Sequence, residues 1–549
     1  MARKQKSGHQ LNSLAAALGG MLPRHDDYLR PVHLTEKKVY STTDPDPPKC
    51  RAPCEAKVRA ARGQDYFQSE LPIISRRCLA ACPPKHSADK LAGHAALRKY
   101  PREDSTVPKL PALLALSLLL HSPSWAQSTT SSGQRIVELD PVMVTQFDAV
   151  RSDSRVQQAL RQLKVREPEA IAEQIRLTEI PAPPFQESRR AEYFLERIKE
   201  RGFPDAYIDE EGNVVAKRPG TGGGPTLLIA AHLDTVFPAD IDTTVNFRDG
   251  RYYAPGIGDD TRGLATLLST LDVLNENDLT TQADLIFSGN VGEEGRGDLR
   301  GIKALFRDHP EVDGFISVDG VRLQRITNGG TGSRRFEFIF KGPGGHSFGA
   351  FGLPSAIHAM GRAIAKIAEL QTPRFPKTTF TVGTVDGGTS VNSIAADAVF
   401  ALDMRSNDRS SLALLEREAK AAALTAVSEE NARWGQNLIS VEFKLIGDRP
   451  VGRTDPSSSV VQAAAMAFDA LGIELTGLGI SSTDSNVPMS LNIPAITIAG
   501  GGDGGGAHSP DEWFSPANSH QGPQMLLLTL LALAGIEGVS EPLLEEIAN

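Results

Sequence analysis

The sequence has little cysteine, and what it has is confined to one end. Cys50, Cys54, Cys78 and Cys82 are the only four in 549 residues. From residue 83 onward no thiolate can serve as nucleophile or metal ligand, and no disulfide can form. The C-x3-C spacing is wider than the C-x2-C pairs of zinc knuckles, so no metal site is expected there, while two disulfides stay open. No apolar run approaches the roughly 20 residues that a membrane-spanning helix needs, so no stable membrane insertion is expected. Positive charge is scarce in the main body. Residues 1–126 carry 20 Lys+Arg against 11 Asp+Glu, and the remainder carries 38 against 56. An acidic body excludes nucleic acid as a bulk electrostatic partner.

The length corresponds to more than one domain. Residues 1–106 mix Pro, Arg, Lys and Ser without a sustained period of 3.6 or 2, and read as disordered or as a leader upstream of the true start. Residues 107–126 have the parts of a secretory signal. Lys109 precedes the apolar run Leu110–Leu120, and Ser124-Trp125-Ala126 supplies small residues before Gln127. The expectation is a start near Val107, cleavage near Ala126 and an exported, periplasmic or secreted product. A chain that does not use this internal signal would be cytoplasmic.

Regular patterning begins near residue 135. Helical spacing covers 154–178 and 186–201. Strand and helix signals then alternate: strand 226–231, helix 261–274, strand 283–287, helix 299–307, strand 312–318. This is the βαβ signature of an α/β sheet. Between 334 and 446 the order changes to β-α-β-β-α-β, with strands at 335–340, 378–385, 395–404 and 438–446 and helices at 355–370 and 410–427. That order is a ferredoxin-like α+β sandwich. Helix 458–471 and strand 495–499 resume the first pattern. The expected organisation is a catalytic domain of 127–333 plus 447–549, interrupted by an inserted domain of 334–446.

The chemistry sits where those strands end. TLLIAA runs into His232 and Asp234. Asp259 and Asp260 precede the helix at 261. ADLIFS is followed by Glu293-Glu294, GFISV by Asp319, and AITIA by a glycine-rich loop reaching His508. Ligands of open α/β sheets bind beyond the carboxyl ends of the strands. Two histidines and several carboxylates without cysteine suit Zn²⁺, Co²⁺ or Mn²⁺. Two such ions need a bridging carboxylate to sit about 3.5–4 Å apart.

At this point the chain resembles the M20 family of dinuclear zinc peptidases and deacylases over roughly 135–549. The motifs are HLDTV at 232–236, GIGDDTRG at 256–263, GEEG at 292–295, SVDG at 317–320, GGHSFG at 344–349 and AHSPDEWF at 507–514. The resemblance implies an α/β zinc-peptidase catalytic domain with a central, mostly parallel sheet, and an inserted ferredoxin-like lid and dimerisation domain. It implies two Zn²⁺ per subunit, replaceable by Co²⁺ or Mn²⁺. His232 and Asp319 would hold one, Glu294 and His508 the other, and Asp259 would bridge. Asp234 would orient the His232 imidazole, and Glu293 would be the general base. His346 would reach the partner subunit's site in a homodimer and steady the oxyanion. Asn392 and Arg449 would contact substrate, Arg449 by holding its terminal carboxylate, while Arg405 would be structural. The motif after Asp259 commonly continues with Lys and Gly, and here reads Thr261-Arg262-Gly263.

The implied activity is hydrolysis of amide bonds in small peptides by an exopeptidase, with N-acyl amino-acid deacylation as the alternative. Two readings of other classes compete. Gly345-His346-Ser347-Phe348-Gly349 fits G-x-S-x-G, which would make Ser347 the nucleophile of a serine hydrolase. That elbow requires a central buried parallel strand before it, and RFEFIF alternates like a half-exposed antiparallel one. A non-catalytic binding protein would be favoured by a missing ligand or base, and none is missing.

Overall fold

The structure, a computed structural model, describes residues 136–547. The four cysteines, the leader and the signal-like segment lie outside the described residues. None of the described helices is long and apolar enough to cross a membrane.

The central sheet has nine strands. Its middle is Thr226–His232, buried along its whole length and flanked in parallel by Asp284–Asn290 and Gly314–Val318. Ala495–Ile498 continues the parallel run beside Gly314–Val318. Antiparallel strands close both sides, Val214–Arg218 beside Asp284–Asn290 and Arg325–Gly330 beside Ala495–Ile498. Strands buried on both faces carry near-continuous apolar residues, which is what made TLLIAA and AITI legible. Register aligns His232 with Asn290, and Val318 with Ile498, so the carboxyl ends open on one edge.

Helices cover the sheet. Thr261–Glu276 buries almost all of its residues, as does Gln521–Ala534. The expected helix over 154–178 is two, Ser154–Val165 and Glu167–Thr178, separated at Arg166. Pro168 explains the break. It has no N–H to donate, and its ring clashes with the carbonyl four residues back, so it fits only in a first turn.

The inserted domain is a four-stranded antiparallel sheet in the order Thr378–Gly387, Asp397–Ser406, Gly332–Lys341, Ser440–Arg449. Helices Ala356–Ala368 and Arg409–Trp434 pack on each other and share a core with the sheet residues Phe336, Phe338, Phe340 and Phe400. Its strands start two residues before, and end three residues after, the bounds expected from sequence. Arg325–Gly330 of the central sheet passes through Thr331 into the first lid strand, and the last lid strand returns through Pro450 to Gly452–Arg453. Gly452 pairs with Gly330, so the two crossings lie side by side.

Candidate metal centre

Each ligand candidate hangs from the open edge of the sheet. His232 ends its strand, and its amide donates to Asp260 Oδ2 at 3.2 Å. Asp260 also accepts from Gly263 N at 3.0 Å and so caps the helix that follows. One residue therefore fixes the end of one element and the start of the next, and Asp259 is held between them.

Asp259 lies at the middle of the cluster. Its Oδ1 is 3.0 Å from His232 Nε2 and its Oδ2 is 3.2 Å from His508 Nε2. His508 Nε2 is also 2.9 Å from Glu294 Oε1. Metal-ligand atoms within 4.8 Å of one another form two groups that share Asp259: His232, Asp259 and Asp319, and Asp259, Glu294 and His508. A third group joins His232, Glu293 and Glu294. The five ligand candidates thus converge in overlapping groups, with Asp259 common to two of them.

The electrostatics of the cluster call for cations. Asp234, Asp259, Asp260, Asp319, Glu293, Glu294 and Asp484 surround His232, His508 and Arg449. Burial, with the charge of Asp259, pushes the Asp319 carboxyl up to about 7. Burial, with Glu294 and Asp484 nearby, pushes Glu293 up against the pull of Arg449. Asp259 goes the other way, because hydrogen bonds from His232 and His508 outweigh its burial. This surplus of buried carboxylates, with two imidazoles and no thiolate, fits divalent metal ions.

A pH dependence follows. The Asp259 and Glu294 carboxylates push His508 up to about 10. At pH 7 the metal-free protein therefore carries a His508 proton that must leave before the imidazole can ligate. Uptake of a metal ion at the group containing Glu294 and His508 is expected to release a proton. Its apparent affinity should rise about tenfold per pH unit until pH approaches 10. Titration calorimetry in buffers of different ionisation enthalpy measures this, and an affinity that falls as pH rises would contradict it.

The other expected residues are placed as follows. The Nδ1 of His232 is 3.0 Å from the Asp234 backbone carbonyl but 3.7 Å from its Oδ1. The Asp234 carboxylate accepts instead from Glu293 N at 3.0 Å and Glu294 N at 2.8 Å. It therefore aims both the candidate base and a ligand. Arg449 ends the last lid strand and is buried against Glu293. Its NH1 is 3.1 Å from Glu293 Oε1 and 3.0 Å from Ser482 Oγ, and its NH2 donates to the Glu293 carbonyl. His346 is exposed on the lid, and its hydrogen bonds do not reach the cluster. Its Nδ1 accepts from Phe348 N and Gly349 N, both at 3.2 Å. Asn392 is its neighbour, since Ser347 N donates to Asn392 O at 2.9 Å. Arg405 pairs with Asp403 at 2.8 Å within the lid sheet. Arg262, the departure from the motif, is fully buried. It donates to Gly500 O at 2.7 Å and Ser519 O at 2.6 Å, both backbone carbonyls.

Ser347 does not sit on the nucleophile elbow of a serine hydrolase. Gly345–His346 is a two-residue strand paired antiparallel with Ser393–Ile394, and no helix follows Ser347 directly. Among the described residues the Ser347 hydroxyl has no histidine partner. Sequence reasoning gave no role to Asp484, which accepts from Asn290 Nδ2 at 2.7 Å, or to Arg190, which donates to Leu233 O at 2.6 Å. The first follows a featureless turn and the second reads as a surface helix residue, so neither carried a signal.

The sequence profile described as peptidase family M20/M25/M40 matches residues 228–532, more than half of the chain and all five ligand candidates. The chain belongs to this family. Among curated relatives, a protein named as a LysW-lysine/LysW-ornithine hydrolase of Thermococcus kodakarensis is 35% identical over 164 residues, covering 30% of this chain and 43% of that protein. The succinyl-diaminopimelate desuccinylase of Corynebacterium glutamicum is 27% identical over 198 residues, covering 35% of this chain and 52% of that protein. The chain thus spans about half or less of the length of these relatives. Solved structures reach further. The aminopeptidase PepT of Bacillus cereus aligns with TM-score 0.55 at 21% identity, covering 67% of this chain and 98% of that one. Human carnosine dipeptidase 1 aligns with TM-score 0.53 at 12% identity, covering 69% and 100%. At such identities these likenesses establish the M20 fold.

Proposed function

We propose that the protein is a metal-dependent hydrolase that cleaves amide bonds of small peptides as an exopeptidase. The observation that carries this reading is Asp259 standing in both ligand groups, with Glu293 beside them. His232 and Asp319 would hold one Zn²⁺, Glu294 and His508 the other, with Asp259 between; Co²⁺ or Mn²⁺ could take their place. Bound there, the ions supply a water of pKa near 7 and a polarised carbonyl.

The remaining steps belong to side chains. Glu293 is buried, so proton transfer to and from it is not levelled by bulk water. It takes the proton of the attacking water and returns it to the leaving amine. Asp234 keeps Glu293 and Glu294 in their separate roles by holding both amides. At His346 two amides point at Nδ1, which places the proton of the neutral ring on Nε2. That N–H is a donor for the developing oxyanion. It would act in the partner's site, in a homodimer paired through the lid, for which Thr378–Gly387 offers a free sheet edge. Arg449 would grip a free substrate carboxylate in a fork on exchanging the Glu293 and Ser482 contacts that its NH1 and NH2 make here, and Asn392 would contact the same substrate. Export after cleavage near Ala126 belongs to the same reading, supported by the apolar run 110–120.

Deacylation of N-acyl amino acids is the second reading, favoured by a curated relative named as a desuccinylase. Purified protein supplied with Zn²⁺ and screened against di- and tripeptides, acetyl-amino acids and succinyl-amino acids decides between them. Turnover of free peptides supports the first reading. Turnover confined to acylated amino acids supports the second, and turnover of neither contradicts both.

A further inference from the structure

Glu512 ends the short loop that begins at His508, and its side chain is 2% exposed. Among the described residues it forms no ion pair. Its carboxylate faces backbone amides instead. Oε1 accepts from Gly258 N at 2.8 Å and Asp259 N at 3.0 Å, and Oε2 accepts from Gly256 N at 2.8 Å. The Ala254 amide donates to the Glu512 carbonyl at 3.2 Å. Four bonds therefore tie residues 254–259 to one residue some 250 positions away.

The glycines of GIGDD are what let the loop close on that carboxylate. Gly256 has φ +78, a region other residues rarely adopt, and a Cβ there would come within 2.7 Å of Thr235. At Gly258 a Cβ would stand 3.1 Å from Glu512 Oε1 itself. Burying a carboxylate without a cation is costly unless hydrogen bonds replace its water. Three convergent amides do so, and in return they fix the backbone of the residue common to both ligand groups. His508 starts the same loop, so Glu512 also couples the position of Asp259 to that of His508.

We propose that Glu512 is a positioning residue of the dinuclear centre: its carboxylate, seated on the amides of Gly256, Gly258 and Asp259, presets Asp259 to be shared by two ions. The assignment rests on the metal reading given above. Partners that orient metal ligands are typically worth 10–100-fold in metal affinity. Glu512→Gln keeps the volume but sets an NH2 group against an amide donor. Glu512→Asp keeps the charge but withdraws the carboxylate by one methylene. The full chain, stripped of metal, is titrated with Zn²⁺ in competition with a chromophoric chelator, and the Co²⁺-loaded protein is read by its visible spectrum. Each variant is expected to bind about 10–100-fold more weakly with an altered Co²⁺ spectrum, while the circular dichroism of the metal-free protein is unchanged. If one variant fails to fold, the other decides. Variants that bind two ions with wild-type affinity and spectrum would overturn the role of Glu512 and leave the metal reading intact. A wild-type chain that takes up no ion would overturn both.

Discussion

Glu293→Gln is expected to lower kcat by about 10²–10⁴-fold, the usual worth of general base catalysis, with both ions still bound. Gln keeps the shape of Glu and its contact with Arg449 NH1, which lies 3.1 Å from Oε1, but it cannot accept a proton. KM should change little, because ground-state contacts survive. Glu293 also lies within ligand reach of His232 and Glu294, so the two variants together separate proton transfer from metal binding at the adjacent glutamates. Glu294→Gln should weaken one metal site and be partly rescued by excess Zn²⁺. Metal analysis of both variants checks the assignment. Metal loss in Glu293→Gln with retention in Glu294→Gln would reverse it.

Asp259→Asn is expected to damage both ion sites at once, and no other single ligand change should do so. Both ligand groups contain Asp259, whereas His508 belongs to only one. The amide nitrogen of Asn cannot ligate and its oxygen carries no negative charge, so one ion loses its ligand atom and the other keeps only a neutral, weaker one. Lewis-acid stabilisation is worth several kcal/mol. Its loss corresponds to a fall of about 10³-fold or more in kcat/KM. His508→Ala should remove one ion and leave the pair His232 and Asp319 competent for the other. Ion counts per chain separate the two variants. Equal counts in both would mean that Asp259 is not shared.

The centre was legible because of how it is built. Strands buried on both faces are unbroken apolar runs, so their ends are sharp, and His232 and Asp319 stand at or directly after such ends. Glu293, Glu294 and His508 were legible as polar residues in the loops that follow. The lid was legible because its strands alternate and its helices keep their period. Other parts left no such mark. Arg325–Gly330 and Gly477–Ser481 are glycine-rich, and neither periodicity survives in them. Gln521–Ala534 is buried all round, so it lacks the polar face by which an amphipathic helix is recognised. Contacts between distant segments were equally silent. Arg449 on Glu293, the Asp234 carboxylate on two amides, and Glu512 beneath Asp259 each join residues 59 or more positions apart, and no local pattern encodes such pairings.

Hydrolysis is expected to depend on two ions held around Asp259. The most direct test is to strip the purified full chain of metal, reload it stepwise with Zn²⁺, and follow bound metal and hydrolysis of the best substrate from the peptide and acyl-amino-acid screen. No turnover is expected in the stripped protein, with recovery complete at two ions per chain. Full turnover by protein that holds no metal would contradict it.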